Sequence, residues 1–283
     1  MTKTVLIAGA GIAGPALAFW LKAGGFEPTL IEKAPSLRSG GYGIDFLGAG
    51  DDLAESMGLL PAIDRAGYHI RELRIVNDRG DKLAGFGTKV FRELTGGRYV
   101  TLPRSELSRL LIEKAGRSGE VIFDAEIEGL DQDSTGVSVQ LSRGGNRRFD
   151  LVIGADGLHS AVRQLAFGPL VRFEHRLGYT VAAFEVPRYR PRDEDVYLMY
   201  GQPGRMLGRV TLRDDRTLCS FLPESLNRFL RRSRHRRRPS ARATPMRSGK
   251  FPRFCPSWTV PRRSISIGSA RSGCRAGRRA VLR

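Results

Sequence analysis

The segment Gly9-Ala10-Gly11-Ile12-Ala13-Gly14 constrains this chain more than any other. It is a GxGxxG set between a β-branched apolar run, Thr4 to Ala8, and a stretch rich in alanine and leucine, Ala13 to Ala23, that reads as a helix. Gly24 and Gly25 end that helix, and a second apolar run, Pro28 to Glu32, completes a βαβ unit. Each glycine has a mechanical task. Gly9 allows the tight turn, Gly11 lets backbone approach a pyrophosphate, and Gly14 lets helix and strand pack closely. The phosphates would face the helix N-terminus, where free N–H groups and the dipole favour an anion. A carboxylate at Glu32 can accept hydrogen bonds from both hydroxyls of an adenosine ribose, and it would repel a 2′-phosphate. The unit therefore predicts a nucleotide of the FAD or NAD kind and not NADP. The expected contacts are Gly9, Gly11, Ile12, Ala13, Gly14, Glu32 and Lys33.

Beyond this unit, residues 39–50 read as glycine-rich loop, and 51–57 and 59–66 as helices. Residues 72–77 and 82–86 flank Asp78-Arg79-Gly80 as a hairpin. Residues 103–115 carry leucines at 107, 110 and 111, a helical stripe with Ser105 as candidate cap. Strands are expected at 121–130, 136–141 and 148–153, then at 179–186, 195–200, 206–212 and 217–222. The last four alternate better than the first two strands of the chain, as a half-exposed antiparallel sheet requires. The three cysteines lack CxxC spacing and the four histidines lack metal-ligand spacing, so neither a disulfide framework nor a zinc site is indicated. MTKTVLIAG does not read as a signal peptide, and no apolar stretch approaches the roughly 20 residues of a membrane span. A cytoplasmic protein is expected.

Gly154-Ala155-Asp156-Gly157-Leu158-His159-Ser160-Ala161-Val162-Arg163 resembles the GADGxxSxxR motif of FAD-dependent aromatic hydroxylases. These are monooxygenases with the p-hydroxybenzoate hydroxylase fold, a group that includes tetracycline-inactivating enzymes. Arg38 and Asp45, flanking Gly40-Gly41-Tyr42-Gly43-Ile44, and Arg104, in Leu102-Pro103-Arg104-Ser105, are similar to further positions of that family. The resemblance covers about residues 1–226 and implies an α/β fold. A Rossmann-like FAD-binding domain (1–68 and 100–168) would be interrupted by a substrate domain with an antiparallel sheet (69–99 and 169–226). It adds Arg38, Asp45, Arg104, Asp156 and Gly157 to the cofactor contacts. It implies FAD as cofactor, NADPH or NADH as co-substrate, and oxygen transfer from dioxygen to a small aromatic or polyketide-like molecule through a flavin hydroperoxide. The flavin carries that chemistry, so no catalytic side chain is named. A dehydrogenase, halogenase or reductase on the same scaffold is the alternative; Trp20 and Trp258 do not sit in a halogenase-type WxWxIP segment.

The net charge of +18 sits wholly in residues 228–283, which hold 17 Arg, one Lys and no acidic residue. The remainder is neutral, and a nucleic-acid role for the globular part is not indicated. The family's later Gly-Asp motif, which holds the ribityl chain, is not found, and neither structural period persists after Asn227. Residues 227–283 read as an out-of-frame translation of a GC-rich gene, as a disordered basic arm for a polyanion, or as an ordered but divergent segment. On the first reading this chain would hold FAD weakly and be inactive.

Overall fold

The computed structural model describes residues 2–37, 40–117, 119–191, 193–223 and the backbone of 265–272. They divide into two compact units, one built from residues 2–37 and 105–177, the other from 40–104 and 178–223.

The first unit centres on strand β1 (Thr4–Ala8), which pairs in parallel with β2 (Glu27–Glu32) on one side. Helix α1 (Ala13–Ala23) crosses between these two strands. A run of five residues with both faces apolar suits a strand covered on both sides. Val5 and Ile7 point into a cluster with Ala18, Leu30, Ile112 and Ala115, under α1 and a later helix, α5 (Arg104–Gly116). Leu6, Ala8 and Ile31 point the other way, against Val139, Leu141, Phe149 and Val162.

The second unit opens with β3 (Gly43–Phe46), α2 (Ala49–Ser56) and α3 (Leu60–Ala66), followed by the hairpin β4 (Glu72–Val76) and β5 (Lys82–Gly87). Asn77 builds the hairpin turn, its side-chain oxygen accepting from the N–H groups of Arg79 and Asp81, both at 2.9 Å. Helix α4 (Lys89–Leu94) and strand β6 (Val100–Pro103) precede α5, and β6 pairs antiparallel with β3. Strand β3 corrects the reading of 39–50 as loop. Its partner, in Tyr99-Val100-Thr101-Leu102, is typical strand composition. Helix α5 begins at Arg104, so Ser105 lies inside its first turn and does not cap it.

The stretch expected as one strand over 121–130 is two, β7 (Glu120–Phe123) in the parallel sheet and β8 (Ile127–Gln132) in a three-stranded antiparallel sheet. The break is Asp124, whose φ of 56° no strand accommodates. Likewise β9 (Val137–Leu141) pairs with β10 (Gly145–Phe149), and the chain then turns at Asp150 into β11 (Leu151–Gly154) beside β1. Asp150 secures the junction by accepting from the N–H of Thr4 at 2.7 Å and its hydroxyl at 2.9 Å. The parallel sheet thus runs β11-β1-β2-β7. Helix α6 (Ala161–Phe167) follows, capped by Ser160, whose hydroxyl accepts from the N–H of Arg163 at 2.9 Å.

The four alternating runs form β12 (Glu174–Pro187), β13 (Val196–Gln202), β14 (Arg205–Thr211) and β15 (Arg216–Pro223). With β4 and β5 they make a seven-stranded sheet whose far edge, beside β12, is β16 (Ile265–Ser272). Its pairs β12–β15, β15–β14, β14–β13 and β4–β5 are antiparallel, and β13–β4 is parallel. The basic stretch 227–283 otherwise lies outside the described residues, and in β16 a short alternation, Ile265-Ser266-Ile267-Gly268, suffices for a strand. Among the described residues no helix is long and apolar enough to cross a membrane.

Leu6 is fully buried at the centre of the parallel sheet. Truncation to Ala should destabilise the protein by about 2–5 kcal/mol, the range for a buried leucine that leaves a cavity. Urea unfolding should show a clearly lowered midpoint, and an unchanged midpoint would contradict this packing.

Candidate functional site

The turn after β1 is shaped by how closely three backbone segments approach. Gly9 has φ of +103°, and a Cβ there would stand 2.6 Å from the carbonyl oxygen of Ala155 and 2.7 Å from Cα of Asp156. A Cβ on Gly14 would stand 2.0 Å from the carbonyl oxygen of Gly9. Both positions exclude a side chain, so the GADG turn, the glycine turn and α1 can converge only with glycine at 9 and 14. The N–H of Gly9 is bonded to the carbonyl of Ile31 at 2.8 Å, which ties the turn to β2.

Glu32 reaches back into this turn. One carboxylate oxygen accepts the Ala10 N–H at 2.9 Å and the other accepts the Ala34 N–H at 3.0 Å. Each oxygen keeps acceptor capacity beyond these bonds. The N-terminus of α1 is left open. Ile12 occupies the cap position without a side-chain hydrogen bond, and the first turn holds no acidic residue. Backbone donors there have no local competitor for an anion. Gly11 and Ile12 are partly exposed, while Ala13 and Lys33 are exposed.

The two oxygens of the Asp156 carboxyl are unlike. Its Oδ2 accepts from the N–H groups of Ala161 at 2.7 Å and Val162 at 3.2 Å, holding the start of α6. Its Oδ1 is buried with no hydrogen-bond partner, a state that native proteins seldom leave unanswered. Gly157, with φ of +81°, has open space where a Cβ would be. Arg163 donates to the carbonyl of Leu158 and lies 5.8 Å over the ring of Phe173.

Asp45 and Arg104 lie in the second unit. Asp45, on β3, accepts two hydroxyls at one oxygen: Tyr99 at 3.0 Å and Thr101 at 2.7 Å. Burial, and then the Asp45 carboxylate beside it, push the Tyr99 hydroxyl up to about 12, so it remains a donor at any physiological pH. Arg104 starts α5, and its N–H donates to the carbonyl of Tyr42 at 3.1 Å. The structure therefore gathers Gly9, Gly14, Glu32 and Asp156 around one turn, and sets Asp45 on the β3–β6 strand pair with Arg104 at the start of the helix that follows it. Arg38 lies outside the described residues. Tyr99 and Thr101 were missed; the β-branched and aromatic run at 99–102 was their signal.

An open glycine turn, an uncapped helix start and a strand-end acid define a dinucleotide-binding α/β protein, and these residues fit FAD through the vacant acceptor at Asp156 and the free donors of α1. The chain belongs to the FAD binding domain family, whose model matches residues 2–250. It is 41% identical over 235 residues to an uncharacterized protein of Mycobacterium tuberculosis, covering 79% of this chain and 61% of that one. It is 38% identical over 194 residues to a flavin-dependent monooxygenase from an unknown prokaryotic organism, covering 68% and 49%. The chain thus spans from about half to three-fifths of the length of these relatives. Among solved structures, the tetracycline destructase Tet(51) superposes with a TM-score of 0.68 at 28% identity, covering 82% of this chain and 63% of its own.

Gly9→Ala and Gly157→Ala should differ sharply. The first meets backbone, and FAD-dependent thermal stabilisation should be lost. The second carries only the left-handed strain of about 1–2 kcal/mol and should keep that stabilisation. Equal behaviour of the two in a thermal-shift titration would refute the close approach at Gly9.

Proposed function

We propose that this chain carries the FAD-holding and substrate-facing parts of an NAD(P)H-dependent monooxygenase that hydroxylates an aromatic or polyketide-like small molecule. The observation that carries the reading is the Glu32 carboxylate bonded to the Ala10 N–H at the mouth of the glycine turn. Family membership and the flavin-dependent monooxygenases among its relatives support it.

When bound, the flavin supplies hydride acceptance from NADPH or NADH and oxygen transfer from dioxygen, chemistry no side chain possesses. The chain's residues bind and orient. Backbone donors at Gly11, Ile12, Ala13 and Gly14 take the pyrophosphate, and Glu32 takes the ribose hydroxyls with Lys33 beside it. Asp156 and Gly157 offer an acceptor and a bare backbone on the flavin side. Asp45 and Arg104 contribute from β3 and α5, and the family resemblance adds Arg38. In this assignment residues 1–68 and 100–168 serve the flavin, and 69–99 and 169–226 serve the substrate.

Residues 227–283 carry no Gly-Asp flavin motif, so the chain as given should retain FAD weakly and hydroxylate little. Purified protein of residues 1–283 should contain well under one flavin per chain, and added FAD should raise its melting temperature. Isolation at one tightly held flavin per chain would overturn the weak-retention claim. Glu32→Ala should lower FAD affinity by about tenfold to a hundredfold, the worth of a hydrogen bond to a charged group. An unchanged affinity by flavin fluorescence would remove Glu32 from the site. Oxygen consumption with NADPH and phenols then separates a monooxygenase from a dehydrogenase.

A further inference from the structure

The seven-stranded sheet has two unlike faces. On one, Val76, Val196, Leu198, Tyr200 and Leu207 form a buried cluster. Pleating and register send Ile75, Tyr197, Met199, Met206 and Ser220 to the other. There Ile75 is 39% and Met206 38% exposed, and Phe86, opposite Leu73 on edge strand β5, is 49% exposed. An open apolar surface of this kind marks a binding site more often than a free surface.

Its centre is specifically shaped. Gly208 stands opposite both Met199 and Ser220. Because it has no side chain, Tyr197 lies flat across it, the hydroxyl 2.8 Å from where a Cβ would be. Ser220, opposite Gly208, lies beside that hydroxyl. Burial, and more weakly the Asp45 carboxylate, hold it above the ordinary phenol range, so it stays neutral. The same face continues through Val210 and Leu218 to Tyr42. Leu218 in turn lies 3.4 Å from where a Cβ on Gly43 would be, on the strand that carries Asp45.

The charge pattern on this face is one-sided. Across β4, β14 and β13 its strand positions from Ile75 to Val210 bear no carboxylate, lysine or arginine. Glu185 and Arg216, on β12 and β15, are paired with each other at 2.8 Å. Arg213 is held by the carbonyls of Ala66 and Gly67, at 2.8 and 2.7 Å. The Asp45 carboxylate bears on Tyr197.

We propose that this face receives a neutral aromatic substrate, its ring among Ile75, Met199, Met206 and Phe86 and its oxygen at Tyr197 and Ser220, and that it refuses aromatics carrying a carboxylate. Methionines adapt to a ring's outline. A carboxylate here would lose water with no cation on these strand positions to offset it. The inference rests on the monooxygenase reading above.

The test is calorimetric binding of methyl vanillate and vanillate to the full chain saturated with FAD, with FAD affinity measured separately by flavin fluorescence. The neutral ester should bind at least about tenfold more tightly, equivalent to roughly 1.4 kcal/mol. Gly208→Val, which displaces Tyr197, should abolish ester binding. Tyr197→Phe, a gentler change, should weaken it by about twofold to tenfold, with FAD affinity intact in both. Equal or tighter binding of vanillate, or no effect of Tyr197→Phe, overturns the proposal and leaves the flavin reading standing. Failure of the wild-type chain to bind FAD at any concentration overturns both.

Discussion

The hydrogen bond from the Ala10 N–H to Glu32 joins the two halves of the βαβ unit at the place where a diphosphate would lie. It uses a donor from the glycine turn and an acceptor from the tip of the next strand. If either shifted, the α1 N-terminus would no longer be aligned with the acid. The packing of Gly9 on Ala155 and Asp156 adds a third segment to the same point. Sequence positions separated by more than a hundred residues therefore meet at one turn, and the tolerance for a side chain there is nil.

The site is built mostly from backbone. Gly9 and Gly14 matter by what they lack, and Ile12 leaves its helix uncapped. Such a site orients a cofactor through main-chain donors, whose position is set by the sheet and helix. Asp156 is the exception, a side chain with one oxygen on the start of α6 and the other buried without a hydrogen-bond partner.

Much of this was legible in the residues. The order of strand, helix and strand over residues 4–32 follows from glycine spacing and strand composition, whereas the bond from the Ala10 N–H to the Glu32 carboxylate does not. The GADG motif marks Asp156, but not its task as a helix-start acceptor, which depends on where Ala161 and Val162 fall. Strand β3 was hidden because its glycine-rich neighbourhood looks like loop. It is held as a strand by pairing with β6, a tertiary effect no local window contains. Asp124 and Asp150 break continuous-looking strands through a left-handed residue and a long-range carboxylate bond. The flatness of Tyr197 over Gly208 depends on cross-strand register and could not be read in advance.

The position of β1 between β2 and β11 has a bearing on how the chain acquires its structure. Val5 pairs with Leu151, so the most buried strand of the first unit waits for a partner that leaves the ribosome far later. Until then its apolar flank is uncovered, and closing so long a loop is slow compared with forming a hairpin. The second unit has its own version of this delay, since β4 must wait for β13. The second sheet cannot be finished before the first unit's chain from residue 105 to 177 has been made. Nascent chains of this topology should thus depend on chaperones during synthesis.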